Sequence, residues 1–456
     1  MSLMVSISGI RGVVGESLTP DVPVRYASAF AEYCGRGRIV IGRDGRTSGK
    51  MIGNLVSSTL IASGCDVIAL GVAPTPTIQI AVEQLHAAGG ISITASHNPV
   101  QWNGMKFIGT SGMFLNGSEN AELWRIADRG TFGYARWNEL GAHTLDDSFI
   151  RQHIDMVLSL PYINVEMIRK RKFKVVVDCI NGSGGVIVPQ MLRNLGCEVV
   201  EMFCDVSGLF AHNPEPIPEN LTDLCRRVVA EGADFGISVD PDADRLVFID
   251  ERGIPYGEEY TIASVVNFVL GQRRDAAAER KSVVVNLSTT RAVEDIAARF
   301  DAPVFRTPVG EINVAKKMKE LGAVVGGEGS GGVILPAVHY GRDSIVGIGL
   351  MMQQLSGFNG RLSEFKSTLP QYSIFKTKVE IEQKNPDMIL EKLKSRFSSE
   401  GRTNVDDGLK IDFKDSWVHL RKSNTEPIVR IIAEAPSTEG AEELASRFKN
   451  EILNAG

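Results

Sequence analysis

A serine at the tip of a polar loop, a loop of alternating aspartates and two loops rich in glycine or arginine carry the reactive groups of this sequence. Ser92-Ile93-Thr94-Ala95-Ser96-His97-Asn98-Pro99 starts as a buried strand and turns at Asn98-Pro99, which leaves the Ser96 hydroxyl at the tip. An alcohol is a poor nucleophile until a base or a metal assists it. His97 is adjacent, but neighbours on extended backbone point to opposite sides, so it is not an obvious base for Ser96.

Asp240-Pro241-Asp242-Ala243-Asp244-Arg245 follows an apolar strand predicted over 236–239. Three carboxylates this close need a cation to stay ionised together, and an all-oxygen set suits Mg²⁺ or Ca²⁺. An EF-hand count puts Glu251 at its last ligand position, but Arg245 stands where that loop needs glycine, and 246–249 reads as a strand. An aspartyl-phosphate loop would carry Thr or Val where Asp244 stands. Mg²⁺ held by Asp240, Asp242 and Asp244 beside a phosphoryl group is the better account.

Gly326-Gly327-Glu328-Gly329-Ser330-Gly331-Gly332 exposes backbone amides, and Glu328 and Ser330 can bond to hydroxyls. A carboxylate in such a loop favours a polyol over a bare phosphate. Thr307-Pro308-Val309-Gly310-Glu311 closes the repeat that precedes it. Arg421-Lys422-Ser423-Asn424-Thr425-Glu426-Pro427, with Arg430 beyond, combines guanidinium groups, hydroxyls and free amides, as a phosphate requires. Near the start, glycines on both sides of Arg11 let backbone approach a ligand, and Lys106 lies on a strand predicted over 103–107.

These loops need a frame, and the frame repeats. A strand at 39–41, a helix at 48–63 and a strand at 66–70 form a β-α-β unit. The pattern returns at 174–178, 186–195 and 199–202, and again at 282–286, 291–300 and 304–306. The joint Gly64-Cys65-Asp66-Val67 matches Gly196-Cys197-Glu198-Val199. Ligands of open α/β sheets bind at the carboxyl ends of the strands, where the polar loops fall. After about Pro370 the pattern changes to strands at 375–381, 409–413, 417–420 and 429–433, with helices at 387–397 and 438–453. That predicts a smaller, mostly antiparallel α+β unit.

With 456 residues and a formal charge of −6, the chain is long enough for several cores and lacks the basic balance of a nucleic-acid binder. No apolar run approaches a membrane span. Six cysteines without C-x-x-C spacing read as reduced core thiols in a cytoplasmic protein. Met1-Ser2-Leu3 is left out of the predicted fold.

The ordered set 94–99, 240–245, 327–331 and 421–427 resembles the α-D-phosphohexomutases, and its span takes in nearly the whole chain. Gly327-Glu328-Gly329-Ser330-Gly331-Gly332 and the overall length look most like the archaeal-type phosphoglucosamine mutases. The resemblance implies an α/β fold: three related α/β domains with mixed sheets plus a C-terminal α+β domain, at 4–145, 146–250, 251–368 and 369–456, around a central cleft. It implies a phosphoserine at Ser96, with Mg²⁺ held by Ser96 and the three aspartates. Arg11, Lys106, His97 and Arg245 would surround the phosphoryl group, with Lys106 a candidate for proton transfer. Thr307, Gly310, Glu328 and Ser330 would meet the sugar, and Arg421, Ser423, Asn424, Thr425 and Arg430 its phosphate. The implied activity interconverts hexose 1- and 6-phosphates, with a hexose 1,6-bisphosphate as activator. A metal-dependent sugar phosphatase and a non-catalytic sugar-phosphate sensor are the rivals. Two departures stand out: Gly332 replaces a histidine common in relatives, for which His339 is a candidate substitute, and Asn424 replaces a glycine.

Overall fold

The computed structural model describes residues 2–272, 281–381, 384–422 and 427–455, whose strands form four sheets. The first contains β1 (Met4–Ser6), β2 (Gly9–Val13), β3 (Ile39–Arg43), β4 (Val67–Val72), β5 (Gly89–Ile93), β6 (Trp102–Ile108) and β7 (His143–Leu145), in the order β1-β2-β6-β5-β3-β4-β7. The second contains β8 (Lys174–Asp178), β9 (Glu198–Met202), β10 (Phe235–Val239) and β11 (Leu246–Asp250), in the order β11-β10-β8-β9. The third contains β12 (Val283–Asn286), β13 (Val304–Thr307), β14 (Val325–Glu328) and β15 (Gly332–Ile334), in the order β13-β12-β14-β15.

One motif runs through all three. Four successive strands, a to d, lie in the order d-c-a-b, with a, b and c parallel and d antiparallel to c. They are β3 to β6, β8 to β11 and β12 to β15. The predicted β-α-β units are strands a and b with the helix between. The c–d hairpin is not part of the predicted repeat, yet its loop carries candidate site residues in each copy. The Ser96 loop joins β5 to β6, the aspartate loop joins β10 to β11, and the glycine-rich loop joins β14 to β15. The central strands carry runs such as Val175-Val176-Val177 and Val283-Val284-Val285, all buried, as a parallel strand covered on both faces requires.

The matching joints have one geometry. After each helix an amide reaches back five residues: Cys65 N to Leu60 O, Cys197 N to Leu192 O and Ala302 N to Ala297 O, at 2.9, 3.0 and 3.0 Å. This closure needs a left-handed residue just before it. Gly64 (φ 89°) and Gly196 (φ 78°) supply it, and in the third repeat Asp301 (φ 54°) does so without glycine. The helix predicted at 186–195 splits into a 3₁₀ turn, Ser183–Val186, and an α-helix, Val188–Asn194. Pro189 has no amide to donate, so it belongs to a first turn and marks a new start.

The fourth sheet is antiparallel throughout. It contains β16 (Ser373–Glu380), β17 (Arg402–Asn404), β18 (Leu409–Asp412), β19 (Trp417–Lys422) and β20 (Ile428–Ala435), in the order β16-β20-β19-β18-β17, with helices Pro386–Phe397 and Thr438–Ala455. β17 escaped the sequence reading because its three polar residues carry no apolar alternation. The second and third sheets share one continuous core, from Ile154 to Leu369, which also takes in Ile80 of the first unit. The first and fourth have their own, and Leu3 packs partly buried against the first. The fourth unit meets the third through polar contacts: Ser288 Oγ to His419 Nδ1 at 2.8 Å, and Arg291 N to Glu434 Oε1 at 3.0 Å. All six cysteines are free. Among the described residues no helix is long and apolar enough to cross a membrane.

Candidate active site

Ser96 sits just past the end of β5 with φ 48° and is 2 % exposed. A left-handed serine costs about 1–3 kcal/mol and persists only where its surroundings fix it. Here they do. Ser96 N donates to Thr94 Oγ1 at 2.8 Å, and Thr94 Oγ1 donates to Asp44 Oδ2 at 2.6 Å. Arg46 is fully buried and donates to the carbonyls of Ser96, Asn98, Pro99 and Trp102 at 2.6, 2.6, 2.7 and 2.8 Å. Its Nε donates to Asp44 Oδ2 at 3.1 Å, and Phe210 covers its guanidinium. Arg46 and Asp44 belong to the polar loop after β3, in which the sequence singles out no site residue.

The left-handed turn also corrects the expectation for His97. Because Ser96 is not extended, His97 Nδ1 comes within 3.3 Å of Ser96 Oγ. The Arg245 guanidinium, then burial, then Arg11 hold the imidazole well below its ordinary range, so it is neutral. Arg11 Nη1 donates to Asn98 Oδ1 at 2.9 Å, which ties it to the same loop. Burial holds the Arg11 guanidinium below its ordinary range.

On the facing side, Ser96 Oγ donates to Asp240 Oδ2 at 2.9 Å, across 144 positions of sequence. Asp240, Asp242 and Asp244 each offer an oxygen within 4.8 Å of the others, and all are buried. Asp242 Oδ2 accepts from Lys106 Nζ and from Thr75 Oγ1, both at 2.6 Å. Lys106 Nζ also reaches Asp244 Oδ2 at 3.3 Å. Burial and then the two neighbouring carboxylates push Asp240 well above the usual carboxylate range. Burial works the same way on Asp242 and Asp244, but Lys106 holds the first low and Arg342 the second. Burial lowers Lys106, and Asp242 and Asp244 outweigh it, so the ammonium is retained. Asp242 Oδ1 and Asp244 Oδ1 are buried with no hydrogen-bond partner. Orphaned carboxylate oxygens beside a third carboxylate fit a hard divalent cation, which takes oxygen donors. Arg245 lies at the rim, 3.6 Å from Glu215 Oε1 and 4.0 Å from Asp244 Oδ1.

The glycine-rich loop joins this centre through a residue the sequence reading missed. Arg342 donates from Nη2 to Asp244 Oδ2 at 2.6 Å, from Nη1 to Glu328 Oε2 at 2.7 Å and from Nε to Glu311 Oε2 at 3.1 Å. Glu328 Oε1 accepts from Asn286 Nδ2 and from Gly310 N, both at 2.8 Å. Arg342 follows an irregular stretch after β15, and no local pattern marks it. A Cβ on Gly332 would lie 2.3 Å from Arg342 Cδ, so the arginine stem fills the space a side chain there would need. That accounts for glycine at this position. His339 does not replace the missing histidine. It is 3 % exposed, its Nε2 lies 3.0 Å from Asp343 Oδ2, and its Nδ1 accepts from Gly341 N. Asp343 in turn caps the helix Ser344–Gly357. Ser330 is half-buried at the loop tip, and Thr307 is buried at the end of β13.

Ser423, Asn424 and Thr425 lie outside the described residues. Arg421 and Arg430 flank them as direct cross-strand partners on β19 and β20. Like charges directly opposed on a sheet repel unless an anion lies between them. Arg421 Nε lies 2.9 Å from Asp407 Oδ2, and the same oxygen accepts from Val309 N at 2.9 Å. Asp407 therefore ties the arginine strand to the segment 307–310.

Domain profiles of the phosphoglucomutase/phosphomannomutase family match the chain in order. Alpha/beta/alpha domains I, II and III match residues 4–133, 151–253 and 259–372, and the C-terminal domain matches 376–451. A phosphoglucomutase/phosphomannomutase from Thermococcus kodakarensis is 39 % identical over 441 residues, 95 % of either chain. A probable phosphoglucosamine mutase from Methanopyrus kandleri is 36 % identical over 446 residues, 97 % of this chain and 96 % of that one. Among solved structures, a phosphoglucomutase/phosphomannomutase family protein from Burkholderia thailandensis superposes with a TM-score of 0.85 at 26 % identity, covering 99 % and 98 % of the two chains.

Proposed function

The chain belongs to the phosphoglucomutase/phosphomannomutase family, and from that premise we propose that it interconverts hexose 6-phosphate and hexose 1-phosphate through a phosphoserine at Ser96. Glucosamine phosphate is the preferred sugar, with glucose or mannose phosphate the alternative; the name carried by the Methanopyrus relative supports this choice. The observation that carries the assignment is the 2.9 Å contact of a buried serine hydroxyl with an aspartate of a buried three-carboxylate cluster.

Asp240, Asp242, Asp244 and Ser96 would hold Mg²⁺, which when bound neutralises charge on the phosphoryl oxygens. Everything else falls to the chain. In the forward transfer the Ser96 Oγ–phosphorus bond breaks as a free sugar hydroxyl bonds to phosphorus; that hydroxyl gives up its proton and Ser96 Oγ takes one up. The bisphosphorylated hexose turns around. Its other phosphoryl group then bonds to Ser96 Oγ, which gives up its proton, the sugar oxygen–phosphorus bond breaks, and a proton returns to the sugar oxygen. His97, 3.3 Å from Ser96 Oγ, and Lys106, bonded to Asp242 beside it, are the groups placed to move these protons. Arg11 and Arg245 add positive charge around the transferring group.

Glu328, with Thr307, Gly310 and Ser330, reads the sugar hydroxyls. Arg421 and Arg430, with Ser423, Asn424 and Thr425, hold the phosphate that is not reacting. One such site serves both orientations of the bisphosphate, and a hexose 1,6-bisphosphate recharges a bare Ser96. We divide the chain at 4–145, 146–250, 251–368 and 369–456, and each sheet falls wholly inside one of these ranges. Intact mass tests the proposal. The protein should gain one phosphoryl group on exposure to a hexose 1,6-bisphosphate, and the Ser96→Ala variant should not. A wild-type Ser96 that cannot be charged, or release of inorganic phosphate as the main product, would end it.

A further inference from the structure

We propose that Arg342 couples the metal loop to the grip on the hexose, so that divalent-cation binding and hexose-phosphate binding strengthen each other. The inference rests on the phosphohexomutase reading and adds a positioning residue to it. Three carboxylates from three segments converge on this one guanidinium: Asp244 in the loop after β10, Glu328 at the end of β14, and Glu311 at the start of the helix Glu311–Leu321. Arg342 is 9 % exposed, so these attractions are weakly screened. Its stem is confined by Gly332, whose absent side chain gives it room, and its own amide lies 3.3 Å from Glu311 Oε1. The fork therefore cannot leave; it can only redistribute among its partners.

One positive charge against three negative ones is shared charge. With Asp244 neutralised by a bound cation, the guanidinium is drawn more strongly to Glu328 and fixes the carboxylate that meets the sugar. Linkage makes the effect reciprocal: hexose bound on Glu328 favours the cation by the same factor. Lys106 also touches the aspartates, but among the described residues its ion pairs are with Asp242 and Asp244, so it does not carry this link.

Isothermal titration in a Ser96→Ala background tests the proposal without turnover. Glucosamine 6-phosphate is titrated with and without saturating Mg²⁺, and Mg²⁺ with and without saturating sugar phosphate. The expected result is a tightening of about fivefold in both directions, falling below about twofold in Arg342→Lys and in Arg342→Gln. The lysine variant keeps the charge but loses the fork, so it separates this link from diffuse electrostatics. A merely structural role would weaken both affinities and leave their ratio untouched. No coupling in the parent, or the parent's coupling retained in both variants, would overturn the proposal. If circular dichroism shows that the Arg342 variants do not fold, Glu311→Gln keeps the arginine and removes one anchor. The coupling should then change at least about twofold, and an unchanged factor would overturn the proposal. Absence of any sugar-phosphate binding, with no mutase turnover in the wild type, would overturn both readings; binding without coupling would sink only this one.

Discussion

Arg46 holds Ser96 by its carbonyl at 2.6 Å while the serine backbone sits at φ 48°. The same guanidinium takes three further carbonyls of that turn, so the hydroxyl is aimed by a residue fifty positions away. Lysine at this position keeps the charge but cannot fork to four acceptors. Arg46→Lys should lower kcat about 100-fold, as a misplaced reacting atom does, and change KM for the hexose phosphate less than about threefold. Steady-state kinetics beside a mass measurement of Ser96 phosphorylation would check it. An unchanged kcat in a folded variant would count against the turn as the aiming device.

Gly332→Ala puts a methyl group where Arg342 Cδ already lies, 2.3 Å away. The arginine stem is buried on all sides, so the clash disturbs its contacts with Glu328 and Asp244. Overpacking of this kind costs about 1–3 kcal/mol. Both Tm and kcat/KM should fall, and in the double variant Gly332→Ala/Arg342→Ala the thermal penalty of the alanine at 332 should shrink.

The cross-strand pair Arg421–Arg430 predicts opposite effects on stability and binding. Removing one guanidinium, as in Arg430→Met, relieves like-charge repulsion and should leave Tm unchanged or higher in phosphate-free buffer. The same change should raise KM about tenfold or more, the loss of a charge-assisted hydrogen bond. Inorganic phosphate should raise Tm of the wild type and raise it less in the variant. Thermal scans with and without phosphate decide it.

Metal dependence has a stability signature. Asp240 is crowded by two carboxylates that stay ionised. Asp240→Asn should therefore raise Tm in EDTA, because it removes a repelled charge, and abolish the rise that Mg²⁺ gives the wild type. That rise corresponds to about 2.7 kcal/mol at one hundred times Kd.

Acid should weaken the seam between the third and fourth units. Burial lowers His419 to about 4, against an ordinary value of 6.5, and it bonds as a neutral ring to Ser288 Oγ and Asp407 O. Between these values the unfolded chain binds a proton that the folded chain refuses, so stability falls as pH drops from about 6.5 towards 4. The loss is roughly 3 kcal/mol, and it levels off below the lower value. Thermal scans against pH for wild type and His419→Gln should show this slope in the first and a smaller one in the second.

The reactive loops were legible in the sequence because each carries rare residue types at fixed spacing beside a recognisable strand. Ser96-His97-Asn98-Pro99 and Asp240 to Asp244 announce themselves locally, and valine runs such as 175–177 announce the strands beneath them. Residues that act by convergence did not. Arg342 follows no motif and gains its meaning from carboxylates 98, 31 and 14 positions away. Arg46 lies in a polar loop with no marking motif of its own, and its partners lie on another turn. The contact of His97 with Ser96 was missed for a different reason. A positive φ at a serine cannot be inferred from residue type, and it reverses the rule that neighbours diverge.

In each of the three α/β units the working loop is the link from the third strand of the motif to the fourth. On the proposed function, phosphoryl carrier, cation cage and sugar reader are thus variations on a single corner of one building plan. Such a corner can be rewritten while the sheet below keeps its register. On the same proposed function, a change of preferred hexose is then open at Ser330, the half-buried tip, because a Cβ at Gly329 or Gly331 would strike Glu259 or the Leu246 backbone; the Ser96 and aspartate loops, built on two other sheets, need not be redesigned with it.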